Sequence, residues 1–470
     1  MTPRRIELIS SEALPKNSVF GRDLDIRQYR QQLGRTHHEL FYDAEHGLHP
    51  NAFAALAGTL SAGGTLYLHL PETYPAEGDP DHQRMIDYGG DVSTCTNHFN
   101  ARLRHFILNP PAQQTNTSTN QPADFTRQAQ IVVGRRGRGK SYWLGEKINW
   151  LAEQGFKQIL LVAPFRHNLD SLLAVLKNPT AVTILPPDDA LNRLPSADYL
   201  IVDEASSIPL HQLHALLAHY PQFSMAATLD GYEGQAQQFR HKLRLPCETQ
   251  WLTFTQAYRY PANDPLERII EHAFLLHEPL SEPTHKQAKG KIVRINPQQL
   301  ANDEARLRAT FALLRHAHYR HSPADLKRLL DLPAQQLWLM EHDSAVIGVL
   351  HVLHESPLPP ELIEAVIDGT RRPQGRLLMQ QLLRRTGKRT YGMNPLNRIQ
   401  RIAVHPDFRR QGIARALISA ASHELSAPLG ASYAKNDALE HFWHALGFYN
   451  LTANNQQRST SNICLEVNAP

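Results

Sequence analysis

Residues 134–141, GRRGRGKS, fit the phosphate-loop pattern G-x-x-x-x-G-K-[ST]. In such a loop the glycines let backbone N–H groups converge on phosphate oxygens, and the following helix presents the positive end of its dipole. An apolar strand at residues 131–133 precedes the loop and a helix over residues 142–154 follows it, which is the context that nucleotide binding requires. The pattern predicts that ATP (or GTP) and Mg²⁺ bind here, through Gly137, Arg138, Gly139, Lys140, Ser141 and Tyr142.

Two consecutive acids, Asp203 and Glu204, end a buried apolar strand downstream of this loop. After a phosphate loop, an acid in that place is expected to contact Mg²⁺, and its neighbour to activate the hydrolytic water. We therefore expect Ser141 and Asp203 to be the metal ligands and Glu204 to act on the water. Lys140 would reach the β- and γ-phosphates.

Two further segments are similar to helicase motifs. Residues 230–235 (DGYEGQ) follow the next strand, where helicases couple the nucleotide to the nucleic acid. Residues 256–260 (QAYRY) look like the segment in which a helicase arginine contacts the γ-phosphate, so Arg259 is a candidate arginine finger. The alternative interpretation is that Arg259 is a surface arginine near Pro261.

A second pattern for polyphosphate, [QR]-x-x-G-x-[GA], lies at residues 409–414, RRQGIA. It resembles the loop in which GNAT acetyltransferases hold the pyrophosphate of coenzyme A with backbone N–H groups at a helix N-terminus. The strand at residues 400–404 would pair with the pantetheine arm, and a backbone N–H near its end could stabilise the thioester oxyanion. The predicted acetyl-CoA contacts are Ile402, Ala403, Val404, Arg409, Arg410, Gln411, Gly412, Ile413, Ala414 and Arg415.

The elements that must position these loops form three α/β units in the 470-residue chain. Residues 1–108 are predicted to form a small N-terminal α/β domain, with a helix over residues 51–61. Residues 109–124 are polar and proline-bearing, and are interpreted as a linker. Residues 125–290 are predicted to form a RecA/helicase-like, doubly wound P-loop ATPase domain, and residues 291–470 a C-terminal GNAT acetyltransferase domain.

Composition excludes several other classes of protein. The three cysteines, Cys95, Cys247 and Cys464, are far apart, which argues against a disulfide framework or a thiolate zinc site and fits a cytoplasmic protein. The N-terminus lacks an apolar signal core, and no run of about 18 apolar residues predicts a membrane span.

Basic residues are concentrated in one part of the chain. Residues 371–415 contain twelve arginines and lysines but a single acid, Asp407, although the whole chain has a formal net charge of only +4. Such a local excess suits a polyphosphate or RNA. The alternative is an ordinary solvated basic face.

Taken together, the motifs resemble the tRNA(Met) cytidine acetyltransferase family, in the same order and over essentially the whole chain. The markers of this resemblance are residues 41–47 (FYDAEHG), 54–60 (AALAGTL), 137–141 (GRGKS), 202–205 (VDEA), 231–234 (GYEG), 264–267 (DPLE) and 317–326 (AHYRHSPADL). The resemblance implies acetylation of N4 of a cytidine, typically the wobble base of elongator tRNA(Met), driven by ATP or GTP hydrolysis.

The sequence also departs from the family pattern. The family continues into a C-terminal tRNA-binding region, so this chain, which ends at Pro470, is expected to be a short form, with an oligomer or an accessory tRNA-binding partner left open. Ala438 stands where the family has an acid, with Asp437 beside it as the substitute contact to coenzyme A, and Ala445 stands where the family has an arginine.

The predicted reaction is a direct attack of the cytidine amine on the acetyl thioester, with placement and oxyanion stabilisation supplying most of the rate. His405 and His318 are the candidate general bases, although His405 also suits a structural turn before Pro406. Tyr433 could protonate the leaving thiolate. Two alternatives remain at this point: an RNA-remodelling ATPase with a degenerate acetyltransferase domain, and a protein or small-molecule N-acetyltransferase.

Overall fold

The computed structural model describes residues 1–25, 29, 31–32, 35–74, 78–112, 124–164, 166–228, 239, 243–283, 290–317, 322–343, 345–434, 437–451 and 461–466. Its contacts divide the chain into two compact units. The first comprises residues 1–72, 100–276 and 319–325, and the second comprises residues 73–99, 277–318 and 326–470. Strands and helices are numbered here in chain order over the described residues.

The N-terminal part of the first unit is built on a small parallel sheet. Its elements are β1 (Arg5–Leu8), β2 (His37–Asp43), α1 (Pro50–Ala57), β3 (Leu60–His69) and α2 (His98–Leu108, which begins in the second unit). Within the described residues the strand order is β1-β3-β2, with both pairs parallel. The sheet and α1 bury a core that includes Leu40, Phe53 and Leu68.

The predicted helix over residues 51–61 was wrong at its C-terminal end. Helix α1 ends at Ala57, and Leu60, which fitted the helical spacing, is the first residue of β3. A Cβ on Gly64 would lie 2.7 Å from the carbonyl oxygen of His38, and Gly63 has a φ of 75°. Gly64 therefore lets β3 pass close to the backbone of β2, and glycine at position 63 adopts its positive φ without steric cost.

A fully parallel sheet carries the rest of the first unit. Its elements are β4 (Ala129–Gly134), α3 (Lys140–Glu153), β5 (Ile159–Val162), α4 (Asp170–Leu173), β6 (Val182–Leu185), α5 (Pro187–Arg193), β7 (Tyr199–Val202), α6 (Leu210–His219), β8 (Phe223–Ala227), β9 (Gln250–Phe254) and α7 (Pro265–Phe274). The described strands are ordered β6-β5-β7-β8-β4-β9. Separate hydrophobic clusters cover its two faces, which confirms the doubly wound fold.

The second unit is organised around a mixed sheet. Its elements are β10 (Lys291–Ile295), α8 (Pro297–Ala301), α9 (Glu304–Ala317), α10 (Pro323–Asp331, which begins in the first unit), β11 (Gln335–His342), β12 (Ala345–Glu355), α11 (Pro360–Ile367), α12 (Leu377–Thr386), α13 (Thr390–Met393), β13 (Leu396–Val404), α14 (Ile413–Glu424), β14 (Leu429–Ala434), α15 (Asp437–Ala445), β15 (Phe448–Asn450) and β16 (Ser461–Glu466). The described strands are ordered β10-β11-β12-β13-β14-β16-β15.

Only one neighbouring pair of described strands in this sheet, β13 and β14, is parallel. Strands β11 and β12 form an antiparallel hairpin. The mixed α/β fold class is thereby confirmed. None of the described helices is long and apolar enough to cross a membrane.

Candidate functional site

The phosphate loop joins β4, which lies between β8 and β9 in the parallel sheet, to α3. Gly137 and Gly139 have φ angles of 74° and 78°, a region that glycine adopts without steric cost. A Cβ on Gly139 would lie 2.8 Å from the ring of Tyr258, and one on Gly137 would lie 3.1 Å from the ring of Tyr260. The loop therefore packs against residues 258–260, and both packing and backbone geometry favour glycine at these two positions.

The side chain of Arg138, in the phosphate loop, is buried and its guanidinium is hydrogen-bonded to other residues of the protein. Its Nη1 donates to the phenolic oxygen of Tyr260 at 2.9 Å, and its Nη2 donates to Oε1 of Glu267 at 2.6 Å. Asp264, at the start of α7, forms a buried ion pair with Arg4 at 2.9 Å. Because the guanidinium of Arg138 is used in this network, the predicted contact of Arg138 with nucleotide would be made by its backbone.

The two acids end β7, with β8 lying between β7 and β4. Burial, reinforced by the neighbouring charge of Glu204, raises the pKa of Asp203 to about 6, and a hydrogen bond from Ser141 opposes this shift. Burial alone would raise the pKa of Glu204, but Arg136, Lys140 and the hydroxyl of Thr228 together lower it. The pair therefore holds one carboxylate firmly ionised beside one that is protonated more easily.

The lysine of the phosphate loop is buried next to these acids. The Nζ of Lys140 donates to the carbonyl oxygen of Arg135 at 2.8 Å. Burial lowers the pKa of Lys140 to about 8, although the charges of Glu204 and Asp203 oppose the shift. Lys140, Ser141, Asp203 and Glu204 thus form one polar cluster at the carboxyl edge of the parallel sheet, as the predicted nucleotide site requires.

The residues present fit Mg²⁺. The Oδ2 atom of Asp203 is buried and has no hydrogen-bond partner among the described residues, although Oδ1 accepts from the backbone N–H of Glu204 at 2.9 Å. A buried carboxylate oxygen without a partner is costly unless a ligand satisfies it. The hydroxyl of Ser141 is close enough to lower the pKa of the same carboxyl group, so these two side chains could supply the hard oxygen ligands that Mg²⁺ prefers.

Sequence reasoning missed two side chains that orient Glu204. The Nη1 of Arg136 lies 3.4 Å from Oε1 of Glu204, and the hydroxyl of Thr228 donates to Oε2 at 3.1 Å. Glu204 itself has a φ of 49°, an uncommon conformation for a residue with a side chain. Thr228 directly follows the buried strand β8. A polar residue in that position lies at the carboxyl edge of the sheet, so the sequence could have identified it as a candidate site residue.

Arg259 lies beside the phosphate loop, since its backbone N–H donates to the carbonyl oxygen of Gly137 at 3.2 Å. Its Nη1 donates to the carbonyl oxygen of Gly58, at the end of α1, at 3.1 Å. Tyr142, in the first turn of α3, is half-exposed. Residues 230–235, the other helicase-like segment, lie outside the described residues.

The acetyl site begins where β13 and β14 separate. The two strands pair only at Asn397 with Leu429 and at Arg398 with Gly430, while β13 continues to Val404 and β14 to Ala434. Beyond Arg398 no described strand pairs with β13 on this side. That edge, which includes Ile402, Ala403 and Val404, can pair with an extended amide chain such as pantetheine.

The polyphosphate pattern forms the turn between β13 and α14. Arg409, Arg410, Gln411 and Gly412 are exposed, and α14 begins at Ile413, followed by Ala414 and Arg415. Gly412 caps the helix with a φ of 80°. The first N–H groups of a helix have no partner within it, so they are available to an anion. Arg415 is anchored on the carbonyl oxygen of Ala445 at 2.5 Å.

The candidate acid–base groups have different surroundings. His405 is buried, and its Nδ1 accepts from the backbone N–H of Asp407 at 3.4 Å, which is the capping position of a short turn. The hydroxyl of Tyr433 donates to Oδ1 of Asn450 at 2.7 Å. Asp437 is exposed in the first turn of α15, and His318 lies outside the described residues. His405 and Tyr433 thus have structural partners, and their chemical roles remain predictions.

Comparisons with known proteins cover all three predicted units. Residues 3–113 match the family model of the N-terminal region of tRNA(Met) cytidine acetyltransferase TmcA. Residues 131–277 match the helicase domain of RNA cytidine acetyltransferase NAT10/TcmA, and residues 309–427 match GNAT acetyltransferase 2. Among solved structures, an aminoglycoside N-acetyltransferase in complex with CoA is 17% identical, with a TM-score of 0.24, over 36% of this chain and 95% of that chain.

The curated relatives are similar along most of the chain. The tRNA(Met) cytidine acetyltransferase TmcA of Pectobacterium atrosepticum is 30% identical over 90% of this chain and 67% of that protein. The protein of the same name from Salmonella typhimurium is 31% identical over 91% of this chain and 68% of that protein. The chain thus spans about two thirds of the length of these relatives. This chain belongs to the tRNA(Met) cytidine acetyltransferase family.

Proposed function

We propose that this chain transfers the acetyl group of acetyl-CoA to N4 of a cytidine in tRNA, at the wobble position of elongator tRNA(Met), and that hydrolysis of ATP or GTP with Mg²⁺ drives the reaction in the cytoplasm. The observation that carries the proposal is that one chain of this family contains both sites. Lys140 and Asp203 form a buried polar cluster suited to a nucleotide. Strands β13 and β14 separate close to Gly412, the N-cap of α14.

The acetyl transfer is a direct substitution at the thioester carbonyl. The N4–carbon bond forms, the carbon–sulfur bond breaks, the amine loses a proton and the departing thiolate gains one. In this chain the free edge of β13 aligns the pantetheine amides and the N–H groups at the start of α14 bind the pyrophosphate. Aligning the two reactants supplies most of the acceleration, because the exocyclic amine is a weak nucleophile.

The nucleotide site has a separate task in this proposal. Lys140 and the backbone of residues 137–141 bind the phosphates, Asp203 and Ser141 hold Mg²⁺, and Glu204 orients the attacking water. When bound, Mg²⁺ neutralises charge that develops on the phosphates. Hydrolysis would then expose the target cytidine, because an enzyme cannot reach a base that is stacked or paired.

The test uses an unmodified elongator tRNA(Met) transcript, radiolabelled acetyl-CoA, and ATP or no nucleotide, with a matched transcript in which uridine replaces the wobble cytidine. We expect label in the first transcript only, dependent on ATP. Label in both transcripts would contradict the proposed position. RNA-stimulated ATP hydrolysis without label would favour a remodelling ATPase, and label on protein without RNA would favour a protein acetyltransferase.

A further inference from the structure

The segment between β12 and β13, residues 356–395, carries an unusual charge. It contains seven arginines and lysines and three acids, so its formal net charge of +4 equals that of the entire chain. It includes α11, α12 and α13, which bury their own cluster of apolar residues around Leu362, Met379 and Leu383. The segment is thus an ordered helical substructure with a concentrated positive charge.

Two of these basic groups make hydrogen bonds or ion pairs with other residues of the chain. Arg376 is buried and donates to the carbonyl oxygens of Ser356 at 2.7 Å and Tyr88 at 2.8 Å. Arg389 forms an ion pair with Glu364. In contrast, Arg371, Arg372, Arg384 and Lys388 are exposed.

The exposed groups lie close together. A Cβ on Gly369 would lie 3.4 Å from Nη2 of Arg384, so the end of α12 lies over the loop that carries Arg371 and Arg372 two and three residues later. Lys388 follows the end of α12. Repulsion among such charges is relieved when they bind an anion with several charges.

An aromatic side chain adjoins the same loop. The backbone N–H of Tyr88 donates to the carbonyl oxygen of Gln374 at 2.9 Å, and the side chain of Gln374 donates in turn to the carbonyl oxygen of Gln83 at 3.0 Å. Tyr88 is nevertheless 45% exposed. An exposed aromatic residue that is hydrogen-bonded to a loop with exposed arginines brings together the two kinds of group with which proteins bind single-stranded nucleic acid, by stacking on bases and by pairing with phosphates.

This surface also lies next to the acetyl site. The Oγ of Ser432, on β14 beyond the point where β13 and β14 separate, lies 2.7 Å from Oε1 of Gln381 on α12. Arg384 follows Gln381 by three residues, a rise of about 4.5 Å along the helix. An RNA strand held by Arg384 would therefore pass within a few nucleotides of the open strand edge.

We propose that Arg371, Arg372, Arg384 and Lys388, with Tyr88, form an RNA-docking surface on which phosphates of the substrate strand pair with the basic groups while one unpaired base stacks on the tyrosine. The inference rests on the proposed function for the identity of the RNA. It adds the location of the docking surface, and it differs from an ordinary solvated basic face in requiring direct phosphate contacts.

The experiment measures binding of the elongator tRNA(Met) transcript at several salt concentrations. In a triple variant, Arg371→Gln, Arg372→Gln and Arg384→Gln, we expect at least a tenfold loss of affinity near physiological salt and a slope of log affinity against log salt that is smaller by about two to three. Tyr88→Leu should weaken binding about fivefold or more without changing the slope.

The control variant removes the same charge elsewhere, through Lys157→Gln, Lys177→Gln and Lys291→Gln, which are all exposed. It should retain the wild-type slope, and acetyl-CoA affinity should be unchanged in every variant. Wild-type affinity and slope in the arginine variant would overturn the inference, even if the protein acetylates tRNA. An arginine-dependent slope without any N4-acetylcytidine would instead overturn the proposed function and leave the docking surface standing.

Discussion

The two predicted polyphosphate loops both place a glycine with a positive φ at the N-terminus of a helix, but the residues around them differ. At the first, Arg138, Lys140 and Asp203 are at most 6% exposed, and burial shifts the pKa of Lys140 and of Asp203. At the second, Arg409, Arg410 and Gly412 are exposed, and the proposed remaining contacts come from the edge of β13 that β14 leaves beyond Arg398. The first site thus depends on charged side chains held out of water, and the second on backbone geometry.

This difference has a physical reason in the two proposed reactions. Hydrolysis of a phosphoanhydride requires a metal, a positioned water and stabilised negative charge, which side chains with shifted pKa values supply. Transfer of an acetyl group between bound partners depends chiefly on alignment. A single substitution in the nucleotide site should therefore abolish NTP hydrolysis, whereas a single substitution in the acetyl-CoA site should only weaken acetyl transfer.

The largest expected effect is that of Asp203→Asn. It removes the charge that would hold Mg²⁺ while preserving shape, so kcat for NTP hydrolysis should fall at least about 100-fold, with acetyl-CoA affinity unchanged. Steady-state phosphate release checks the first expectation and calorimetric titration the second. Asp189→Asn, at a half-exposed acid on α5, is the control. Hydrolysis within about threefold of wild type would show that Asp203 is not a ligand.

The same substitution should stabilise the protein when Mg²⁺ is absent. The pKa of Asp203 is raised to about 6 in the folded state, above its unfolded value, so folding is opposed by the ionised form. The contribution of Asp203 to the free energy of unfolding should therefore fall as pH rises from about 4 to 6, and the Asn variant should recover about 1–3 kcal/mol relative to wild type at pH 8. Urea unfolding in the presence of a chelator measures the free energy of unfolding of both proteins. A variant less stable than wild type at pH 8 would contradict the expectation that burying the ionised Asp203 carboxylate destabilises the fold.

The second site should respond less strongly. Gly412→Ala places a side chain at a φ of 80°, a conformation that costs about 1–2 kcal/mol. We expect the free turn to relax away from this conformation, so that acetyl-CoA must restore it on binding and should bind up to about 5- to 30-fold more weakly. Gly387→Ala introduces comparable strain at a φ of 66° at the end of α12 and should leave acetyl-CoA affinity unchanged. Equal losses in both variants would point to general destabilisation of the unit.

The smallest expected effect concerns a side chain that only orients another. Thr228→Val removes the hydrogen bond to Glu204 at 3.1 Å, which helps to lower the pKa of that carboxyl group. We expect kcat for NTP hydrolysis to fall about 3- to 10-fold, with its acid limb moved to higher pH because Glu204 becomes easier to protonate. A change in KM alone, with an unaltered pH profile, would argue that Thr228 contacts the nucleotide instead.

The sequence and the structure agree best where chemistry fixes the spacing of neighbouring residues. The fold class, and the positions of residues 134–141 and 409–414 between a strand and a helix, could be predicted because each pattern is local. The contacts of Arg138 with Tyr260 and Glu267 could not, because they join positions more than 120 residues apart. Leu60 was misassigned because its spacing fits a helix, whereas the backbone of β3 pairs with both of its neighbours.

The most direct test of the account is nucleoside mass spectrometry of the elongator tRNA(Met) transcript after incubation with acetyl-CoA, ATP and either the wild type or Asp203→Asn. The account predicts N4-acetylcytidine with the wild type, and almost none with the variant even though it binds acetyl-CoA equally well. Equal yields from both proteins would contradict the proposed dependence of acetyl transfer on the nucleotide site. Absence of the product with the wild type would contradict the proposed reaction itself.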